Sequence, residues 1–536
     1  MGKPLFKVLF PGLGVSVSAS HGERLLDVIR ENGIGIVADC GGRGKCGKCR
    51  VVVDGEPRLA CETQVVSDIS VTLPDEGSGA YAIQIDSIGS TGVMGRTAAG
   101  AGARNGSVPL GSAAAPPAIA ADMDPEGGAA IAIDIGTTTI VAKLIGPAGE
   151  ELAVSAELND QRPYGADVVS RINMSMDDAS VLSAIITKQL DGIIGRMVGR
   201  GGVAPPDIKR VVLAGNTTMC YILLGLPCRS IGVSPFKAAY PFKAGYSYRE
   251  VFGTDTLAAP VRLIPFVSAY VGGDIVAGLV GVLAARGETP RQSEQPGGRS
   301  FMLVDMGTNG EIAYCSGEEI VCTATAAGPA FEGGNISCGS GSVEGAISEV
   351  AACGGSFECR TIGNAPARSV CGSGLLYAMA CFLREGIIAG SGKMCADSPY
   401  VKDKSVRISD GPTPGEKGVS ITQKDVREFQ LAKSAVRTGV DVLIGEFGGI
   451  PPDTLYLAGG FGQNLDPESA FAVGLLPETL RGRVVPVGNS SLAGTVLAAA
   501  DEGRMADAVR VAGIGREINL ASHPKFNELF LAHMGF

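Results

Sequence analysis

Four cysteines near the start of the chain are spaced for metal chemistry. Cys40, Cys46 and Cys49 fall within DCGGRGKCGKCR (39–50), and Cys61 follows in RLAC, giving C-x5-C-x2-C and a fourth thiol after eleven intervening residues. Structural zinc favours two C-x2-C knuckles, and only Cys46 and Cys49 form one. Thiol–disulfide exchange needs two cysteines and leaves the others unexplained. Gly41, Gly42, Gly44 and Gly47 let the backbone curl and point N–H groups at sulfur, which stabilises the extra negative charge of a reduced iron–sulfur cluster. The pattern favours one [2Fe-2S] cluster on Cys40, Cys46, Cys49 and Cys61, with zinc and free thiols as the weaker readings. Arg43, Lys45, Lys48 and Arg50 stand where they can offset the cluster charge or steer an acidic partner.

A second constellation suits phosphate. In AAIAIDIGTTTIVAKLIG (129–146) an apolar strand ends in Asp134, followed by Gly136, Thr137, Thr138 and Thr139 and a second strand. SFMLVDMGTNGEIAYCSG (300–317) repeats the design with Asp305, Gly307, Thr308 and Asn309. Small residues admit backbone N–H groups to oxyanions, while hydroxyls and the carboxylate organise phosphates and Mg²⁺. No GK[ST] follows the glycines, and a strand follows each turn, so these are neither P-loops nor dinucleotide loops. Two more turns end apolar strands, in VVLAGNTTM (211–219) and in LYLAGGFGQN (455–464), where Gly459-Gly460 suits a nucleoside pocket. Asp134 and Asp305 are candidates to organise Mg²⁺ and the attacking water. Glu311 is a candidate to position that water, with a solvated loop carboxylate as the alternative.

The elements that must hold these groups follow from pattern. At 536 residues the chain exceeds one core and divides into several domains. LFKVLFPGLGVSVSAS predicts a hairpin, GERLLDVIRENGI a short helix with Leu25, Leu26, Val28 and Ile29 on one side, and CRVVVDGEPRLAC a second hairpin. QVVSDISVTLP predicts one closing strand. The expectation is a small α+β domain over 1–77, which with its C-x5-C-x2-C spacing and a following Cys resembles the ferredoxin-like [2Fe-2S] family. Residues 97–128, rich in Ala, Gly, Ser and Pro without periodicity, mark a flexible linker assigned to 78–128 that can let the cluster swing. Residues 129–298 and 299–536 each carry one copy of the phosphate design and are expected to form two α/β lobes. IPFVSAYVGGDIVAGLVGVLAA (264–285) carries Pro265 and Asp274 and predicts a buried strand–turn–helix, not a membrane span.

Together DIGTTT, DMGTNGE, IPFVSAYVGGD and LAGGFG resemble the acetate and sugar kinase, Hsp70 and actin superfamily, whose duplicated ribonuclease H-like fold binds Mg-ATP between two lobes. The resemblance implies phosphate motifs at 134–139 and 305–308, a connecting segment at 271–274 that includes Gly272 and Asp274, and an adenosine motif at Gly459 and Gly460. Read with the cysteines, YGADVVSRI, LAGNTTM, ATAAGPAFEGGNISCG, LAGGFGQNL and HPKFNELFLAHMGF resemble the reductive activators of corrinoid proteins. That family implies ATP-dependent transfer of one electron from a [2Fe-2S] cluster to cob(II)alamin, regenerating cob(I)alamin in a methyltransferase system. It also implies a homodimer and a low-potential donor such as a ferredoxin or flavoprotein reductase. In its light AAGPAFEGG (326–334) is a partner-facing loop through Phe331 and Glu332, with an internal packing turn as the alternative. The family archetype carries a small extra domain after the linker, for which this chain leaves too few residues.

Charge and composition bound the partners. A formal charge of −10 with no basic block argues against nucleic acid. MGKPLFKVLFPG lacks an apolar h-region, and a cytoplasmic chain without membrane contact is expected. Cys353, Cys359, Cys371, Cys381 and Cys395 are unevenly spaced and read as core thiols, not as a second cluster. Three alternatives remain: an activator of a 2-hydroxyacyl-CoA dehydratase, a metabolite kinase with a redox-sensing cluster, or a nucleotide-gated interaction module.

Overall fold

The computed structural model describes residues 4–32, 34, 36, 49–73, 128–165, 167–289, 299–307, 309–411 and 418–536. Cys40, Cys46, Thr308 and, apart from Gly128, the linker lie outside them.

The N-terminal unit is a five-stranded sheet in the order Val15–Ser20, Leu5–Phe10, Ile69–Thr72, Arg50–Val53, Glu56–Leu59. Leu5–Phe10 runs antiparallel to Val15–Ser20 and parallel to Ile69–Thr72. Helix Leu25–Glu31 buries Leu25, Leu26, Val28 and Ile29, the side that its spacing predicts. Each such side chain contributes about 1.5–3 kcal/mol on leaving water. QVVSDISVTLP forms two pieces, Gln64–Val65 and Ile69–Thr72, because the first pairs with Glu23–Arg24 instead of joining the main sheet.

The rest is built twice on one plan. The first lobe has a sheet in the order Glu151–Leu158, Thr139–Ile145, Ala129–Ile135, Ile208–Gly215, Val261–Leu263. The second has Val484–Gly488, Thr454–Ala458, Phe301–Met306, Gly310–Ser316, Glu319–Thr325 and Gly515–Glu517. In each lobe the first strand pairs antiparallel with the strand after its turn and parallel with a later strand on its other edge. Ala129–Ile135 and Phe301–Met306 are buried apart from half-buried aspartates, which explains why they read as continuous apolar runs.

Two helices join the lobes at the centre. Gly273–Ala285 and Ser490–Ala500 cross in contact, and a Cβ on Gly494 would stand 1.7 Å from the Ala277 carbonyl oxygen. Only glycine permits that approach. Gly273–Ala285 is a 13-residue buried helix, and among the described residues no helix is long and apolar enough to cross a membrane. The long helix Gln423–Glu446 holds the chain's last helix, Phe526–Ala532, through Ser434 Oγ donating to the Phe530 carbonyl.

Candidate functional site

The two-fold plan brings four turns to one cleft. Asp134 and Asp305 each occupy the penultimate position of the first strand of their lobe. Parallel register places Ala214 beside Asp134 and Ala458 beside Asp305, so the turns after LAG in both lobes emerge next to the aspartates. Gly459 takes φ +82°, and a Cβ there would meet Asp305 Oδ1 at 2.6 Å and the Met306 carbonyl oxygen at 2.7 Å. On the other side, a Cβ on Gly272 would reach Asn216 Cα at 2.4 Å and Thr217 N at 2.7 Å. The glycines at 272 and 459 are thus needed for close packing of the turns.

The first phosphate turn is held from behind. Asn159 Nδ2 donates to the Gly136 carbonyl at 2.9 Å and the Asn159 amide to the Thr138 carbonyl at 2.9 Å. Asn216 Nδ2 donates to Thr137 Oγ1 at 3.2 Å. Arg171, fully buried, donates to the carbonyls of Thr137 and Gly165 and to Gln161 Oε1. Burial, with repulsion from Arg162, lowers its guanidinium pKa to about 9. Thr139 opens the next strand, and in the second turn the Gly307 amide donates to the Asn309 carbonyl at 3.1 Å.

Asp134, Asp274, Asp305 and Glu311 form one electrostatic cluster. Asp274 stands in the first turn of helix Gly273–Ala285, where its Oδ1 accepts from the Ile275 amide at 2.9 Å. Burial, then the Asp134 charge, pushes its pKa up to about 7. Burial, then Asp274 and Asp134, pushes Asp305 up to about 8. Glu311 is 8% exposed on strand Gly310–Ser316, and burial followed by the three aspartates raises it well above the usual range. It is therefore not a solvated loop carboxylate. Asp134 is raised by burial too, but Asn489 Nδ2 at 2.9 Å and Ser491 Oγ at 2.8 Å donate to it and oppose that rise.

Asn489 and Ser491 were not singled out from the sequence, nor was Arg171 within YGADVVSRI. The signal for the first pair is the pseudo-repeat itself. VVPVGNSSLAG places a turn and helix after a strand, as the segment reaching GGDIVAG does in the first lobe.

The partner-facing assignment of 326–334 needs correction. Phe331 is 3% exposed, and its ring stacks on Phe461 at 4.5 Å and 9° and meets Phe429 edge-on at 5.8 Å. Glu332 turns into the cleft, where its Oε2 accepts from Thr138 Oγ1 at 3.2 Å. The loop is an internal packing turn because its aromatic ring completes the second-lobe core.

At the cluster end, Cys49 and Cys61 are both buried at the open end of the Arg50–Val53/Glu56–Leu59 hairpin. The Ala60 amide donates to the Cys49 carbonyl at 2.8 Å, and the Leu26 amide donates to the Ala60 carbonyl at 3.0 Å. Both thiols act electrostatically on Arg24, whose guanidinium pairs with Asp27 at 2.8 Å. Two thiols near one cation and buried in an apolar shell fit a thiolate-held, negatively charged cluster. Elsewhere burial raises the Cys220 and Cys322 thiols, marking core residues. Among the described residues, no group of three or more His, Cys, Asp or Glu side chains could hold a metal unaided.

Fold and site together define a duplicated actin-like ATPase joined to a [2Fe-2S] domain. Residues 9–69 match the family described as a 2Fe-2S iron-sulfur cluster binding domain, 129–284 the RACo middle region, and 299–536 the C-terminal ASKHA domain of RACo. The chain is 31% identical over 430 residues to the corrinoid activation enzyme RamQ of Eubacterium limosum, covering 76% of this chain and 70% of that protein. It is 27% identical over 446 residues to a [Co(II) methylated amine-specific corrinoid protein] reductase of Methanosarcina barkeri, covering 76% of each. A solved reductive activator for a corrinoid, iron-sulfur protein superposes with a TM-score of 0.67 at 25% identity, covering 99% of this chain and 98% of that one. The chain belongs to the family of ATP-dependent corrinoid-protein reductive activators. The expected shortfall of a small domain is not found: nearly all of the solved activator has a counterpart here, and the family's middle region is the first lobe.

Proposed function

We propose that this chain reduces the Co(II) corrinoid of a methyltransferase system's corrinoid protein to Co(I), using Mg-ATP bound between the lobes. The observation that carries this reading is the pairing of two buried cluster-type thiols with a duplicated phosphate cleft in one chain. Bound to Cys40, Cys46, Cys49 and Cys61, a [2Fe-2S] cluster supplies one electron at a time. Plant-type centres lie near roughly −400 mV, and moving an electron uphill costs about 2.3 kcal/mol per 100 mV. A nucleotide cycle that changes the grip on the Co(II) partner can close such a gap.

Asp134, Asp274, Asp305 and Glu311 gather four carboxyl groups whose pKa values burial raises, with no matching cation among the described side chains that touch them. Such a site fits Mg²⁺ brought in with nucleotide phosphates, since Mg²⁺ takes one or two carboxylates and fills its remaining positions with phosphate and water. Asp134 and Asp305 then orient Mg²⁺ and the attacking water, and Glu311 supports Asp305 from the neighbouring strand. Gly136, Thr137, Thr138, Thr139, Gly307, Thr308 and Asn309 take the phosphates, and Gly459 and Gly460 the nucleoside. A ferredoxin or flavoprotein reductase serves as donor, the linker lets the cluster reach donor and acceptor, and the working form is a homodimer.

The test is ATPase rate with and without a Co(II) corrinoid protein. Stimulation by the Co(II) form, lost once the partner is Co(I), is expected, because hydrolysis without an acceptor would dissipate the drive. Phosphorylation of a small metabolite, with no response to any corrinoid protein, would favour a kinase instead.

A further inference from the structure

Glu332 belongs to neither an exposed loop nor the carboxylate cluster, and its position raises a chemical conflict. Its Oε2 accepts the Thr138 hydroxyl from the first lobe at 3.2 Å, across 194 residues of sequence. Its Oε1 lies 4.0 Å from where a Cβ on Gly307 would stand, beside the second phosphate turn. One carboxylate therefore bonds the first phosphate turn and lies alongside the second. A threonine hydroxyl has one proton to donate. While Thr138 donates it to Glu332, it cannot donate it to a phosphate oxygen.

The turn that carries Glu332 is fixed. A Cβ on Gly333, at φ +76°, would stand 2.1 Å from the Ser340 carbonyl oxygen, and one on Gly372 would stand 1.9 Å from the Phe331 carbonyl oxygen. The stacked ring of Phe331 anchors the same turn from the core side. Buried Arg171 feels the Glu332 charge but directs its donors to Thr137, Gly165 and Gln161.

We propose that Glu332 is an affinity-determining gate of the nucleotide cleft, bonding the first phosphate turn from the second lobe until the terminal phosphate of ATP displaces it from Thr138. The inference rests on the reading that this cleft binds Mg-ATP. Like charge makes the exchange unfavourable, so the gate weakens binding of any nucleotide that reaches the bridge and does so most for the triphosphate. Its role in the cycle is to keep the empty cleft drawn together and to make lobe rearrangement depend on the terminal phosphate.

The experiment is calorimetric titration of the full-length holoprotein and of Glu332→Gln and Glu332→Ala with Mg-ATP and Mg-ADP. Glutamine keeps an acceptor for Thr138 but removes the charge. The expected result is a Kd for Mg-ATP about tenfold lower in Glu332→Gln, a smaller change for Mg-ADP, and a change in the same direction in Glu332→Ala. Unchanged or weaker ATP binding in both variants would overturn the gate. So would a kcat loss of about 100-fold at unchanged Kd, which would assign Glu332 to hydrolysis itself. Failure of the wild-type protein to bind Mg-ATP would overturn the nucleotide cleft, and the gate with it, and is told apart by that control alone.

Discussion

Asp134 and Asp305 hold equivalent places in the two lobes and have opposite surroundings. Asp134 accepts from Asn489 and Ser491, which come from the far lobe and hold it toward its ionised form against burial. Among the described residues no donor reaches Asp305, and burial with two neighbouring aspartates pushes it up to about 8. The duplicated strand and turn thus fix where a carboxylate stands, while the neighbours that reach it from the other lobe set how firmly it holds its proton. Two side-chain donors meet one copy, and among the described residues none meets the other.

Activity should show the largest effect, and here the copies should agree. Asp134→Ala and Asp305→Ala should each lower ATPase kcat by about 100-fold or more, since both groups organise charge at the phosphate, while the cluster spectrum stays. Normal hydrolysis in either variant would mean that one copy is only structural.

Stability should separate them by a smaller amount. Asp134→Ala leaves the donors of half-buried Asn489 and buried Ser491 short of a partner, a loss of about 1–3 kcal/mol, and should lower the melting temperature. Asp305→Asn removes a charge that burial disfavours and should raise it at pH 8. The pH dependence has a defined sign. Unfolded carboxylates titrate near about 4, while Asp274 and Asp305 hold their protons to about 7 and about 8. Between those values the folded state binds more protons, so the nucleotide-free protein should lose stability as pH rises from about 5 through 8. Melting curves across that range check this, and a flat profile in wild type would contradict the assigned charge states.

The sequence carried the repeated first strands, turns and second strands, because each is a local run with an aspartate, a glycine and hydroxyls in order. It also carried the helix Leu25–Glu31 and both N-terminal hairpins, where periodicity and turn residues agree. It did not show Asn489 and Ser491 as partners of Asp134, because 355 and 357 residues separate them and only tertiary packing joins them. The loop 326–334 was misplaced for the same reason: the family resemblance pointed Phe331 and Glu332 at a partner, but Phe331 finds a stacking partner in Phe461 that no local pattern reveals.

In this family's chain, a cleft built by duplication makes low-potential electron transfer depend on ATP. Under anaerobic conditions, the protein with reduced cluster is mixed with a Co(II) corrinoid protein, and Co(I) absorbance is followed with and without Mg-ATP. Co(I) should form only with Mg-ATP in wild type and not at all in Asp305→Ala. Equal Co(I) formation without nucleotide, or undiminished formation by Asp305→Ala, would contradict that dependence.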